Sequence, residues 1–314
     1  MQALSQSTST VLMIRPASFS FNEETAVTNE YQKRVDLSHD NVLKKVLEEF
    51  DEAVEILRDN DIDVTVIDDT KEPVKPDAIF PNNWVSMHHD GTIVLYAMKT
   101  KNRRSERRSD IIEQLGNRFE IYKIHDNAIE WEDRDLAMEG TGSIVFDHQN
   151  RIAYASISPR TEKEAVLYYC NLLQYKPCIF TSYTSSGNQQ YHTNVVMSVS
   201  SDFVLIGLES IKDKAEAQQV KRTILESNKK LISLTSKQLE KNFCGNVLQL
   251  KNKYGQSKLV MSETALSGFT EDQLELIQNY TDIVSVPIIL IEKIGGGSAR
   301  CMIAEIFLPL KSVL

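Results

Sequence analysis

Cys301 closes the run Gly295-Gly296-Gly297-Ser298-Ala299-Arg300. Glycines ahead of a thiol let the backbone approach a ligand closely and hold dihedrals that other residues resist. Arg300 places a cation beside the sulfur, and a nearby cation lowers the ordinary thiol pKa of about 8.5 and enlarges the thiolate fraction. His192 follows the polar loop 183–190, which contains a glycine and could gate a site, a setting that suits a proton carrier better than a core imidazole. Glu139 lies between the apolar Leu136-Ala137-Met138 and Gly140-Thr141-Gly142, a half-buried carboxylate without a basic neighbour in sequence. A thiol to attack, an imidazole to move protons and a carboxylate to orient or bind are the parts of a nucleophilic hydrolase.

The remaining cysteines and histidines read differently. Cys170 falls in a helix-like stretch, and Cys170, Cys178 and Cys244 are expected to be small buried apolar residues. His88, His89 and His148 sit at hairpin turns, where exposure is the default, and His39 lies at a polar helix entry. His125 fits either setting. The four cysteines are too few and too irregular for a disulfide framework or a zinc cluster, so a reducing compartment, no metal and no cofactor are expected.

Composition sets the outer limits. The 314 residues are 41% apolar and 25% charged, an ordinary globular chain with a large core, and they are read as one catalytic domain over 1–314. Forty-four acidic against 35 basic side chains give a net charge of −9, which disfavours a nucleic-acid partner. No leader-like or membrane-length apolar run occurs, so a cytoplasmic protein with no membrane contact is expected. The six basic residues between Lys99 and Arg108 read as a solvated face and receive no function.

The elements that must bring residues 139, 192 and 301 together form a repeat. Hairpins are expected from WVSM and TIVLYAM around His88 to Gly91, and from SIVF and RIAYASI around Asp147 to Asn150. Two more come from NVVMSV and FVLIGLESI, and from NVLQL and KLVMSE. Their starts, near 82, 140, 193 and 245, are 58, 53 and 52 residues apart, and another 56 leads to Cys301 and RCMIAEIFL. Each hairpin is followed by a helix-like stretch and a further apolar run, the last being IVSVPIILI. The N-terminal VLMIRP, a helix near 42–58 and VTVID complete the final unit, so the chain closes into a ring with pseudo-fivefold α/β symmetry. In such a ring the unit starts converge on the axis. They carry Asn82 and Asn83, Glu139, His192 with Asn194, and Cys301.

With these residues in place, EGTGS at Glu139, HTN at His192 and GGGSARCM ending past Cys301 resemble the three active-site motifs of the guanidino-group-modifying enzymes, the pentein superfamily. MIRPASFSFNEETAVTNEYQ and DAIFPNNWVS resemble its citrulline-utilisation, arginine-deiminase-related branch, and the likeness covers essentially the whole chain. The resemblance implies a five-bladed ββαβ propeller, with Cys301 as the covalent nucleophile, His192 as general acid and base, and Glu139 holding substrate nitrogen and the imidazole. It implies Arg160, before Thr161, as the anchor of a substrate carboxylate, with Asp77, Phe19 and Asn22 as pocket lining. Arginine deiminases carry an aspartate in each of a Phe-Thr-Arg-Asp and a His-x-Asp motif. Here the matching segments read Phe80-Pro81-Asn82-Asn83 and His192-Thr193-Asn194.

A guanidinium only donates hydrogen bonds, whereas a ureido group also presents an acceptor oxygen, which a carboxamide can serve and a carboxylate cannot. The two asparagines thus favour citrulline, hydrolysed to ornithine, carbon dioxide and ammonia. Succinylarginine dihydrolases share the asparagines and act on a guanidinium, so arginine or a substituted arginine, by deiminase, dihydrolase or amidino-transfer chemistry, stays open. A non-catalytic amino-acid-binding scaffold is a third reading. The expected partner is a small amino acid, and a homodimer is the default assembly for a soluble enzyme.

Overall fold

The computed structural model describes residues 4–312. Its strands fall in chain order as β1 (Thr10–Arg15), β2 (Asp63–Asp68), β3 (Val85–Met87), β4 (Thr92–Leu95) and β5 (Lys123–Asp126). Then follow β6 (Val145–Asp147), β7 (Ile152–Ser156), β8 (Lys176–Phe180), β9 (Met197–Val199), β10 (Phe203–Ile206) and β11 (Lys230–Ser233). The last are β12 (Leu248–Lys251), β13 (Ser257–Ser262), β14 (Asp282–Val286) and β15 (Ala304–Glu305). They form five three-stranded sheets, β3-β4-β5, β6-β7-β8, β9-β10-β11, β12-β13-β14 and β15-β1-β2. In each, an antiparallel pair is joined by a parallel third strand. A parallel strand requires a crossover, which the helices supply, among them His39–Asp59, Lys163–Leu173 and Lys214–Glu226. This is the five-bladed pentein propeller. β15 pairs with β1 across 292 residues and closes the ring, with Met87 bridging to Ile306 in the adjoining blade.

Alternation along the strands explains the closure. Val11 and Met13 of β1 enter one apolar cluster with β12 to β14, while Leu12 and Ile14 enter another with β3 and β4. Likewise Val204 and Ile206 face the β6 to β8 blade, and Phe203 and Leu205 face β13. Successive side chains point to opposite faces, so a strand apolar at every position needs cover on both sides. Five sheets round an axis give each blade two such neighbours.

Two expected elements differ. IVSVPIILI is a strand only to Val286, and after Pro287 the segment Ile289–Gly295 is helical. Proline lacks the ladder N–H and ends the strand. In RRSERRSDIIEQL, only Ser109–Gly116 is α-helix, and Lys101–Glu106 is a tight 3-10 segment that turns inward. Its Arg103 is 2% exposed, so the stretch read as a solvated face is in part a buried one. The exposure expected of His88 and His148 is also overturned. Both are buried, His88 Nε2 at 2.7 Å from Ser86 Oγ and His148 Nδ1 at 2.7 Å from the Tyr175 hydroxyl.

Candidate active site

Each hairpin starts with one tight turn at the ring's axis: Pro81–Asn83, Gly140–Ser143, Thr193–Val195, 244–246 and 299–302. The turns pack backbone to backbone. Gly140 has φ +48°, and a Cβ there would lie 2.3 Å from the Asn82 carbonyl oxygen. A Cβ on Gly142 would strike Asn83 Nδ2 at 2.6 Å and His192 Nδ1 at 2.7 Å. Thr193 Oγ1 donates to the Ser143 carbonyl at 2.6 Å, and Asn246 Nδ2 to the Asn194 carbonyl at 2.9 Å. Gly296, at φ +64°, caps the helix Ile289–Gly295, and its carbonyl accepts from the Tyr191 hydroxyl at 2.6 Å. That bond ties the residue before His192 to the loop that carries Cys301.

His192 and Cys301 line one narrow pocket, together with Asp77, Asn83, Arg103 and Arg160. His192 Nε2 lies 2.8 Å from Glu139 Oε2. A carboxylate only accepts, so Nε2 carries the hydrogen and the lone pair falls on Nδ1, which is buried without a partner. The other oxygen of Glu139 accepts from the Lys99 amide at 3.0 Å. Burial would raise the Glu139 carboxyl, but Arg160 at 3.6 Å, His192 and Arg103 at 3.8 Å outweigh it and bring it down to about 2. Burial lowers His192 to about 4, with Glu139 opposing, so the imidazole rests neutral. The Cys301 thiol is pushed up by burial, against hydrogen bonds from Asn246, the Ser298 backbone and Asn194 and the charge of Arg300.

The other expected residues divide. Asn83 Oδ1 accepts from Arg103 Nη1 at 2.8 Å, and its Nδ2 donates to Asn82 Oδ1 at 3.1 Å. Asn194 Nδ2 reaches Cys301 Sγ at 3.4 Å, leaving its Oδ1 without a partner. Arg160 donates to Thr28 Oγ1 and the Thr25 carbonyl at 2.8 and 2.7 Å, and lies over the Tyr191 ring. Asp77 Oδ2 accepts from Asn22 Nδ2 at 2.7 Å, and its Oδ1 is unpaired. Asn22, Asn82, Asn194 and Phe19 do not line the pocket, although Asn194 reaches the Cys301 sulfur. Asn22 caps the short helix Glu23–Ala26, Asn82 lies behind Asn83, and Phe19 packs edge-on against Phe80. The loop 183–190 is bound by Ser186 and Asn188 to Glu30 and by Ser185 to Glu240.

Sequence reading missed Arg103, Glu106 and Asn246. Arg103 donates through Nε and Nη2 to both oxygens of Glu106, each at 2.8 Å, and Glu106 is buried too. Burial raises the Glu106 carboxyl while the paired guanidinium opposes it, and the bidentate geometry holds the pair as ions. Asn246 begins the fourth unit, which the repeat spacing marked without singling out its side chain. Cys170 and Cys244 are buried with thiols pushed up to about 12, Cys178 is likewise raised by burial, and none of the three lines the pocket that holds His192. Among the described residues, no group of three His, Cys, Asp or Glu side chains is placed to hold a metal ion. No described helix is long and apolar enough to cross a membrane.

Residues 15–308 match the family described as N,N dimethylarginine dimethylhydrolase, eukaryotic. The chain belongs to this family. The family's description denotes a hydrolase of a substituted guanidino group, and the fold is that of the pentein superfamily. Among solved structures, the substrate-bound N-terminal domain of ArgZ, an arginine dihydrolase from the ornithine-ammonia cycle in Cyanobacteria, superposes with a TM-score of 0.72 at 16% identity, covering 96% of this chain and 98% of that one. Unliganded AgrE gives 0.74 at 18% identity over 97% of this chain and 40% of its own. A dimethylarginine dimethylaminohydrolase variant in adduct with S-methyl-L-thiocitrulline gives 0.64 at 14% identity, covering 94% and 98%. The chain thus spans about two fifths of full-length ArgZ and AgrE. A comparison with curated proteins yields no significant match.

Proposed function

We propose that the protein hydrolyses the guanidino group of arginine or an N-substituted arginine through a covalent adduct on Cys301, with His192 moving protons and Glu139 orienting the imidazole. The observation that carries this reading is the charge around the pocket. Arg103 and Glu106 cancel as a bidentate pair, leaving Glu139 and Asp77 against Arg160, with His192 neutral. One surplus negative charge suits a substrate of net charge +1. Citrulline, net neutral, would leave it uncompensated in a buried site. The unpaired acceptor Asp77 Oδ1, on the pocket wall, suits a group that only donates. This reverses the preference drawn from the two asparagines alone.

In the reaction, the Cys301 thiol gives its proton to the lone pair of His192 Nδ1 as the thiolate attacks the guanidino carbon. A bound cation favours that charge separation. The imidazolium, steadied by Glu139, returns the proton to the departing ammonia or alkylamine, leaving an S-alkylthiouronium on the enzyme. Water, deprotonated by the same nitrogen, adds to the carbon, and the C–S bond breaks to release citrulline and the thiolate. Arg160 stands ready to pair with the substrate carboxylate.

Asn83 and Asn194 favour a second reading, in which citrulline is itself hydrolysed to ornithine, carbon dioxide and ammonia, either alone or as a second round after arginine. A panel of arginine, dimethylarginine and citrulline, with citrulline, ornithine, ammonia and alkylamine release as readouts and Cys301→Ala as control, separates these. Citrulline formation from arginine or dimethylarginine is expected. Turnover of citrulline with neither guanidino compound consumed would overturn the first reading.

A further inference from the structure

Two side-chain N–H groups converge on Cys301 Sγ, from Asn246 Nδ2 at 3.2 Å and from Asn194 Nδ2 at 3.4 Å. They differ in how firmly they are held. Asn246 Oδ1 accepts from the Ser298 amide at 3.2 Å, and Nδ2 donates to the Asn194 carbonyl at 2.9 Å. The flipped amide would set donor against donor at Ser298 and acceptor against acceptor at Asn194. The backbone therefore dictates that the second Nδ2 hydrogen face the sulfur. Asn194 has no such constraint, because its Oδ1 has no partner. Asn246 is fully buried and adjoins Gly245, where a Cβ would lie 2.5 Å from the Val195 carbonyl oxygen, so the turn that carries it is fixed against its neighbour.

We propose that Asn246 is a catalytic residue of this site, the donor that stabilises the Cys301 thiolate as it forms and takes up the sulfur's charge again when the C–S bond breaks. The inference rests on the reading of Cys301 as nucleophile and extends it to a residue outside the Glu139, His192 and Cys301 set. In the resting thiol the sulfur is a weak acceptor and the contact contributes little. Once the proton passes to His192, the same N–H meets an anion, and hydrogen bonds to charged acceptors are roughly twice as strong as neutral ones. Attack consumes the sulfur's charge as the S–C bond forms, and the contact weakens. Water then adds to the carbon, the S–C electron pair returns to sulfur, and Asn246 again faces a thiolate. No additional reactant enters either step. Asn246 lies 52 positions after Asn194, the spacing of the repeat, so two neighbouring blades present the same side chain to one sulfur.

The test reads thiol ionisation without substrate. Iodoacetamide alkylation of the full chain is followed against pH, with the labelled cysteine mapped by mass spectrometry, in wild type, Asn246→Asp and Asn246→Ser. Asparagine to aspartate keeps the Ser298 contact but turns the donor into a charged acceptor, so the neutral Asn246→Ser separates loss of the donor from added charge. The Cys301 alkylation midpoint should rise by about one pH unit or more in Asn246→Asp, so that labelling at pH 7 slows about tenfold, and by a smaller amount in Asn246→Ser. Should Asn246→Asp fail to fold, as judged by its melting curve, the serine variant decides by the same criterion. An unchanged midpoint in a folded variant overturns the role of Asn246 and leaves Cys301 as nucleophile intact. Wild-type labelling that shows no preference for Cys301 over Cys170, Cys178 and Cys244 removes the nucleophile reading, and this inference with it.

Discussion

The two ends of the same hairpin strands both bury histidine, and they bury it to different effect. Where the hairpins begin, His192 meets Glu139 at 2.8 Å, two guanidiniums lie within 4 Å of that carboxylate, and Nδ1 is left unpaired. Where they turn back, His88 and His148 meet the hydroxyls of Ser86 and Tyr175 among Phe146 and Phe307. Burial lowers His148 well below its ordinary range and His88 to about 4, much as it does His192. A shifted imidazole therefore does not mark the site. What marks it is an imidazole nitrogen left unpaired in the same pocket as a thiol, whereas each far-end imidazole meets a hydroxyl, although Asp147 with Lys229 and Arg300 with Glu305 bury charge there too.

The sharpest way to break this contrast is Cys301→Ala, which should remove turnover by about 10³-fold or more while the fold stays intact, since a nucleophile has no substitute. Retained activity would place the chemistry elsewhere in the molecule. Glu139→Gln should lower kcat by about 10²-fold, because the amide can still accept from His192 but no longer supports an imidazolium. Kinetics showing a change in KM alone would make Glu139 a binding group only. Arg103→Lys is expected to raise KM about tenfold and to loosen Asn83, since a lysine cannot span Glu106 bidentately. Unaltered kinetics would show that the buried pair is structural packing.

The smallest effect on turnover, none, is expected for His148→Gln, although stability should respond. A histidine whose folded pKa lies below its unfolded value stays neutral while the unfolded chain takes up a proton. Stability from His88, His148 and His192 is thus present above about pH 6.5 and is lost as pH falls toward 4, by at most about 1.4 kcal/mol per pH unit for each. Melting curves of His148→Gln between pH 7 and 4.5 should show a shallower decline than wild type. An equal decline would mean that His148 takes up its proton in the folded protein.

The repeat was readable because each blade writes the same apolar pattern locally, and the unit starts located Glu139, His192 and Cys301 before any contact was known. Arg103 was not readable. Its meaning lies in Glu106, Asn83 and Glu139, and periodicity cannot distinguish an arginine facing solvent from one paired inside. Asn246 was half legible, marked by the spacing but silent as a residue type until the sulfur lay 3.2 Å away. The helix after Pro287 was hidden by a run of isoleucines that suits a buried strand equally well. His88 and His148 failed on the rule that turns face water, because Phe146 packs edge-on against the first and Phe307 of the closing segment covers the second.

Ring closure through β15 and β1 carries a consequence for biosynthesis. A chain emerging from the ribosome presents its imidazole and acidic group long before its sulfur, and the sulfur arrives only one turn ahead of the strand that locks the circle. An interrupted or proteolytically shortened molecule lacking that strand would leave the thiol unseated, so competence for chemistry and completion of the architecture come in a single event.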